Sequence, residues 1–334
     1  MPTNVEMIDA LRLMTRGAYA LQKLRIQTGL RLCANFRDKL KEDPEEEATE
    51  DGELGERAMK IIDILKADYR RLTEGVARHR TLPRREGFTG AGVISDFTEL
   101  VIVHQYESLE KQEREHFRHL GEALEELPVF TEWLDRQRGI GPAMAAVLVT
   151  SFDIQKAVRP SQFWAIAGLD VGPGLVTDPD QKLARSRRKE HLIEREYVNR
   201  DGEVKTKMST TFDPWLQARM LGVLGVSLLR SGSPYRVHYD NYKHRIENDP
   251  NRQKGTLADK KREWKEGNKT ERIWHPLRIH RAAMRYMVKQ FLADFWRRWR
   301  EIEGLPTVPT YHEAILGHVH HRPREDEPPQ AAAE

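Results

Sequence analysis

Five cations fall within nine residues at QKLARSRRK, positions 181–189: Lys182, Arg185, Arg187, Arg188 and Lys189. No apolar face runs through them, and like charges this close repel one another unless an anion sits among them, which points to phosphate. A second place for the same chemistry is Arg138-Gly139-Ile140-Gly141-Pro142. A Gly-x-Gly turn between helices directs backbone N–H groups outward at a helix start, and Pro142 supplies the φ of a first turn. The same residues also fit a plain helix–turn–helix corner in an all-helical core. In SPYRVHYDNYKHR, Arg236, Tyr239, Lys243 and Arg245 mix aromatic rings with bases. Further on come His275, Arg278, Arg281, Arg285 and Lys289, opposite a stripe of Leu277, His280, Met284, Met287 and Phe291. That spacing lets one helix rest on a core and hold cations toward a nucleic-acid backbone. Trp164 and Trp274 are rings that could stack on bases, although Phe163-Trp164 lies in an apolar segment that reads as core.

Other chemistry finds less support. One cysteine, Cys33, excludes an intramolecular disulfide and a cysteine-based zinc site, and suggests a reducing compartment. His312, His318, His320 and His321 in YHEAILGHVHHR lack the strand pair and second ligand cluster of an HNH-type nuclease, so they read as a solvated tail with no metal. No cofactor is implied. Net charge is only +3, but the acids cluster early and the bases late. With 39% hydrophobic residues, 334 residues can bury a core in two or three domains. No apolar run approaches the ~20 residues of a membrane span and no signal-peptide core opens the chain, so a cytoplasmic protein without a membrane partner is expected.

The elements that must position these residues are mostly helices. Met7, Leu11, Met14, Ala18 and Leu21 step by four and three, which predicts a long helix over 5–41 with Arg12, Arg16, Lys23, Arg25, Arg31, Arg37 and Lys39 on its solvated faces. Residues 42–56, EDPEEEATEDGELGE, hold nine acids and read as a loop at the tip of a helical hairpin. Ala58, Ile62, Leu65, Tyr69, Leu72 and Val76 predict its second, coiled-coil strand, and TLPRREGFTGAG from Thr81 breaks it. A third helix is expected over 93–127, its polar middle QYESLEKQEREH suiting a bridge between domains or a narrow seam. Asp201-Gly202 between strand-compatible runs predicts a β-hairpin over about 192–208. Residues 214–229 read as a helix buried nearly all round, 249–272 as mobile or ordered on binding, 274–300 as the last helix, and the tail beyond 323 as disordered. The fold class is therefore mainly α, with a long antiparallel coiled coil, a helix-hairpin-helix domain and one small β-hairpin. The expected domains are 1–128, 129–303 and a tail over 304–334.

Three stretches together resemble a known group. GIGPAMAAVLVTSFDIQKAVRPSQFWAIAGLDVGPG, PWLQARMLGVLGVSLLRSGSPYRVHYDNYKHR and HPLRIHRAAMRYMVKQFLADFWRRW look like the C-terminal Tnp domain of bridge-RNA-guided insertion-sequence transposases, across roughly residues 133–300. A coiled coil before such a module is similar to the Nop domain of guide-RNA ribonucleoproteins, and ALRLMTRGAYALQKLRIQTGLRL is similar to the Tas proteins of tandem-interspaced-guide-RNA (TIGR) systems. The resemblance implies a Nop-like core, guide RNA and target DNA as partners, and a homodimer through the coiled coil. Departures matter: no RuvC-like or HNH module is found, and the GAEK-type motif of Nop proteins is missing at AGLDVGPG. The transposases' nucleophilic serine would fall near Ser186, Ser209 or Ser231, none in the expected small-residue context. The expectation is a nuclease-lacking guide-RNA-binding protein with no catalytic residues. An RNA-guided recombinase with an unplaced serine and an RNA-independent DNA-bridging protein stand as alternatives.

Overall fold

The computed structural model describes residues 4–40, 54–74, 76, 81–170, 192–265 and 273–309. The basic run 181–189, nearly all of the acidic run and His312–His321 lie outside them. The chain is mainly helical, with a two-stranded antiparallel sheet. It divides into two compact units, Met1–Glu126 and Leu127–Glu334.

In the first unit, α1 (Asn4–Leu40), α2 (Glu56–Thr73) and α3 (Phe97–Leu124) pack on one another. The antiparallel partner along α1 is α3 rather than α2. Lys39 near the end of α1 bonds Glu99 in the first turn of α3, Arg25 pairs with Glu113, and His116 donates to the Met14 carbonyl at 3.0 Å. Helix α2 crosses α1 where Gly29 leaves room: a Cβ there would lie 2.6 Å from Leu54 and 3.2 Å from Ile62. Ile26, Leu32, Phe36, Ile61, Ile62, Leu65, Leu100, Val103 and Tyr106 form the apolar core. Leu54, at the end of the acidic run, is buried in it.

The polar middle of α3 is therefore a seam that α1 and α2 share, the second of its two expected roles. Glu113 (8% exposed) takes Arg25 (7%), so Arg25 does not belong to a solvated basic face. Lys66 bonds both oxygens of Glu110 at 2.6 Å, and Tyr69 shares a 2.7 Å hydrogen bond with His104. Helix α3 begins at Phe97 because Asp96 caps it: its carboxylate accepts from Thr98 and Glu99 N–H, while Glu99 accepts from the Asp96 N–H. Helix α2 ends at Thr73, short of Val76. The buried Asp68 then accepts from the Val93 N–H at 2.8 Å. Cys33 lies in this core with its thiol pushed up to about 11 by burial.

In the second unit, α4 (Pro128–Glu132) and a 3-10 turn lead to Gly139, whose φ of +88° favours glycine, and to Gly141, which precedes α5 (Pro142–Ser151). Met144 to Thr150 are buried. Helix α6 (Pro160–Ile166) ends in AGL: the Gly168 N–H donates to Ala165 and the Leu169 N–H to Trp164, a Schellman closure with Leu169 buried. Strands β1 (Leu192–Val198) and β2 (Val204–Thr210) pair with Arg195 opposite Lys207 and Tyr197 opposite Lys205. Next come α7 (Pro214–Ala218), a wide π turn (Arg219–Leu224) and α8 (Gly225–Arg230). Only one face of this piece is fully buried, with Leu216, Met220, Leu224 and Leu228 in a row, while Trp215 is 41% exposed. Helix α9 (Arg236–Glu247) follows. Part of the polar stretch after it is also ordered: Thr256 and Asp259 cap α10 (Leu257–Lys265) reciprocally. Helix α11 (Pro276–Ile302) carries Met287, Phe291, Phe295, Trp296 and Trp299 into the core, where Trp133 stacks on Phe291 and Phe295.

Two outcomes follow. Glu113→Leu, which strands a buried guanidinium, should destabilise the first unit by about 3–5 kcal/mol in urea unfolding, and Arg25→Met with Glu113→Leu should recover most of the loss. Gly168 has φ +62°, and a Cβ on it would meet the Phe212 ring at 2.5 Å. Gly168→Ala should then cost about 2–4 kcal/mol, against about 1–2 kcal/mol for Gly232→Ala, where φ is positive but space is open.

Candidate nucleic-acid interface

Helix α9 runs antiparallel to α11: Tyr235, just before α9, donates to Asp294 at 3.0 Å, and Tyr239, in the first turn of α9, hydrogen-bonds His280 at 2.7 Å near the start of α11. This pairing gathers Tyr239, Lys243 and Arg245 with the first turns of α11. Arg281 is exposed there, and Arg278 and Arg285 are half-buried. Lys243 and Arg281 both act on the His280 imidazole, and Lys260, Arg278 and Arg281 on that of His275. Burial first, then these charges, hold both histidines below the ordinary value of 6.5. Burial and the neighbouring cations thus both disfavour the protonated form of these two imidazoles.

Aromatic rings space the cations. Tyr242 stacks on Tyr286 with centroids 4.7 Å apart and carries the Arg245 guanidinium at 4.8 Å. Trp274 is covered by two guanidiniums, Arg252 at 4.3 Å and Arg278 at 4.0 Å. Trp274 therefore holds arginines instead of offering itself to a base. Trp164 donates to the Lys289 carbonyl at 3.1 Å and belongs to the α6–α11 seam. His275 is 5% exposed and caps α11, its Nδ1 accepting from the Arg278 N–H, so its place is structural and not a ligand contact. Arg236 sits at the opposite end of α9, paired with Asp240 at 3.4 Å, and Lys243 lies 3.9 Å from Glu247. Such exposed pairs hold weakly and yield to a stronger anion.

The glycine turn is placed elsewhere. Ser227 donates to the Gly139 carbonyl at 2.7 Å, and a Cβ on Gly139 would stand 2.6 Å from Ser231 Oγ. Gly139 is thus a packing site for α8, whereas Arg138 and Gly141 are exposed and a Cβ on Gly141 would meet open space. Lys182, Arg185, Arg187, Arg188 and Lys189, with Ser186, lie outside the described residues. Ser231 Oγ donates to Leu228, closing the end of α8, and Ser209 is paired opposite Ile193 in the hairpin.

Sequence reasoning missed Tyr242, Lys260, Arg252, His280 and Tyr286 as members of the cluster. Tyr239 and Tyr242 are three apart on one helix and His280 and Tyr286 lie on another, so only the antiparallel pairing shows that they meet. Among the described residues, no group of three or more His, Cys, Asp or Glu side chains could hold a metal ion, and no helix is long and apolar enough to cross a membrane. Comparison of the chain with protein-family models, with curated proteins and with solved structures finds no match.

Because His275 and His280 titrate below 6.5, the unfolded chain takes up protons at a higher pH than the folded one. Stability is complete above that ordinary value and falls as pH drops through it toward the lowered values. Thermal unfolding followed from about pH 7.5 to 5 should show Tm falling, and His280→Gln, which keeps a partner for Tyr239, should reduce the fall.

Proposed function

We propose that this chain is the guide-RNA-binding protein of an RNA-guided DNA-targeting ribonucleoprotein, of the Tas type, without a nuclease domain of its own. The observation that carries the reading is the cluster of cations on and beside the paired helices: Lys243 and Arg281 at His280, Lys260 and Arg278 at His275, and Arg245 over Tyr242 beside Tyr286. A cluster of fixed cations on ordered helices is a backbone grip. Its described contacts are made by charge and by aromatic rings, which suits a protein that leaves sequence to base pairing. RNA is favoured as the first partner by the resemblance of the glycine-turn, SPYR and last-helix segments to guide-RNA-dependent proteins, with target DNA recruited by the RNA. The basic run 181–189, exposed Arg138 and exposed Arg236 extend the same reading. The three-helix first unit would supply the homodimer contact, and the single buried thiol suits a cytoplasmic setting.

The protein purified from its native host should carry RNA of defined length, identified by sequencing. Lys243→Gln with Arg281→Gln should flatten the plot of log Kd against log salt by about one unit per lost phosphate contact, and an unchanged slope would sink the assignment. Affinity for that RNA should also rise as pH falls, because phosphate favours the protonated imidazole of His280.

A further inference from the structure

The β-hairpin is exposed on both faces. Residues 194–198 and 200–207 are all solvent-accessible, with Val198 at 66% and Val204 at 65%. A two-stranded ribbon without a covering layer is marginal by itself, and its two faces differ in charge. The register places Arg195 opposite Lys207 and Tyr197 opposite Lys205, so these four share one face. Glu194 and Glu196 share the other face with Thr206, Val198 and Val204. On the basic face Lys207 Nζ lies 5.1 Å from the centroid of Tyr197, which is 41% exposed, and Lys205 pairs at 3.1 Å with Glu203 at the edge of the turn.

We infer that this face is a second nucleic-acid contact, one that takes an unpaired strand. Tyr197 would stack on a base, while Arg195, Lys205 and Lys207 hold the phosphates beside it. A polyanion complements three cations around one ring, and a single strand, unlike a duplex, offers the base face that an exposed ring can cover. In a duplex the base faces are already stacked, and this face has no Asn or Gln to read base edges in the groove. The acidic reverse side fixes which face meets the strand. The inference rests on the proposed nucleic-acid role and adds to it a site on a different element from the α9–α11 cluster.

The test measures full-length protein binding to labelled oligouridylate, oligothymidylate and a duplex of equal length. Tyr197→Ala should weaken single-strand binding by about tenfold or more and leave duplex binding unchanged, while Tyr197→Phe retains binding. Lys205→Gln with Lys207→Gln should flatten the single-strand salt slope by about 1.4 for two lost contacts. Glu194→Gln with Glu196→Gln, on the reverse face, should leave single-strand binding unchanged. Preference for oligouridylate or for oligothymidylate assigns the strand as RNA or DNA, and either supports the site. Parent-like single-strand affinity in folded Tyr197→Ala, or equal losses on strand and duplex, would overturn it. If Lys243→Gln with Arg281→Gln lose binding while Tyr197→Ala does not, the hairpin site falls and the guide-RNA reading stands. The reverse result keeps the hairpin site and removes the other.

Discussion

The second unit depends on how one helix satisfies the backbone around it. Ala157 lies in the loop between α5 and α6, and its carbonyl accepts from Trp296 Nε1 at 2.7 Å and from Arg300 at 3.0 Å, while Arg300 reaches the carbonyls of Ile154 and Pro306 as well. A buried guanidinium needs its donors occupied, and here loop carbonyls occupy them. The loop between α5 and α6 cannot leave α11 without stranding both partners. Trp164 adds a third tie and Trp133 a stacked ring. With its C-terminal half locked in this way, α11 can present its N-terminal half to α9 in one register, which is what places Lys243, Arg281 and His280 together.

Much of this was legible in the sequence, for identifiable reasons. Steps of three and four gave the long helices, Asp-Gly between β-formers gave the hairpin, and Gly-x-Gly-Pro gave the start of α5. Boundaries failed where side chains decide them. The third helix starts at Phe97 and not near Val93 because Asp96 and Glu99 cap it, an Asp-x-x-Glu pattern present in the sequence. That α3 and not α2 runs along most of α1 has no signal in the sequence, because apolar periodicity says which face is buried and not against what. The pairing inside the α3 seam is hidden for a related reason: Glu113 reads as solvent-facing until Arg25 is known to meet it.

The candidate interface was legible as composition but not as geometry. Bases at helical spacing on two segments marked α9 and α11 as cationic, whereas the pairing of Tyr239 with His280 across 41 residues of chain has no local signal. Two assignments changed meaning. His275 is a helix cap, and Gly139 is glycine as much because Ser227 and Ser231 press on it as because its φ is positive. The hairpin, recognised by its turn, was not recognised as two-faced, since alternation becomes charge segregation only once the cross-strand register is known.

The wide turn at Arg219–Leu224 sets a phase. Buried positions at every fourth residue would drift by about 40° per step on a regular α-helix, and a wider turn absorbs that drift, keeping Leu216 and Leu228 on one side. The same rotation aims Ser227 at the Gly139 carbonyl and brings Gly225 against Met284. One helix thus meets the glycine turn and α11 at once because it is slightly unwound between them.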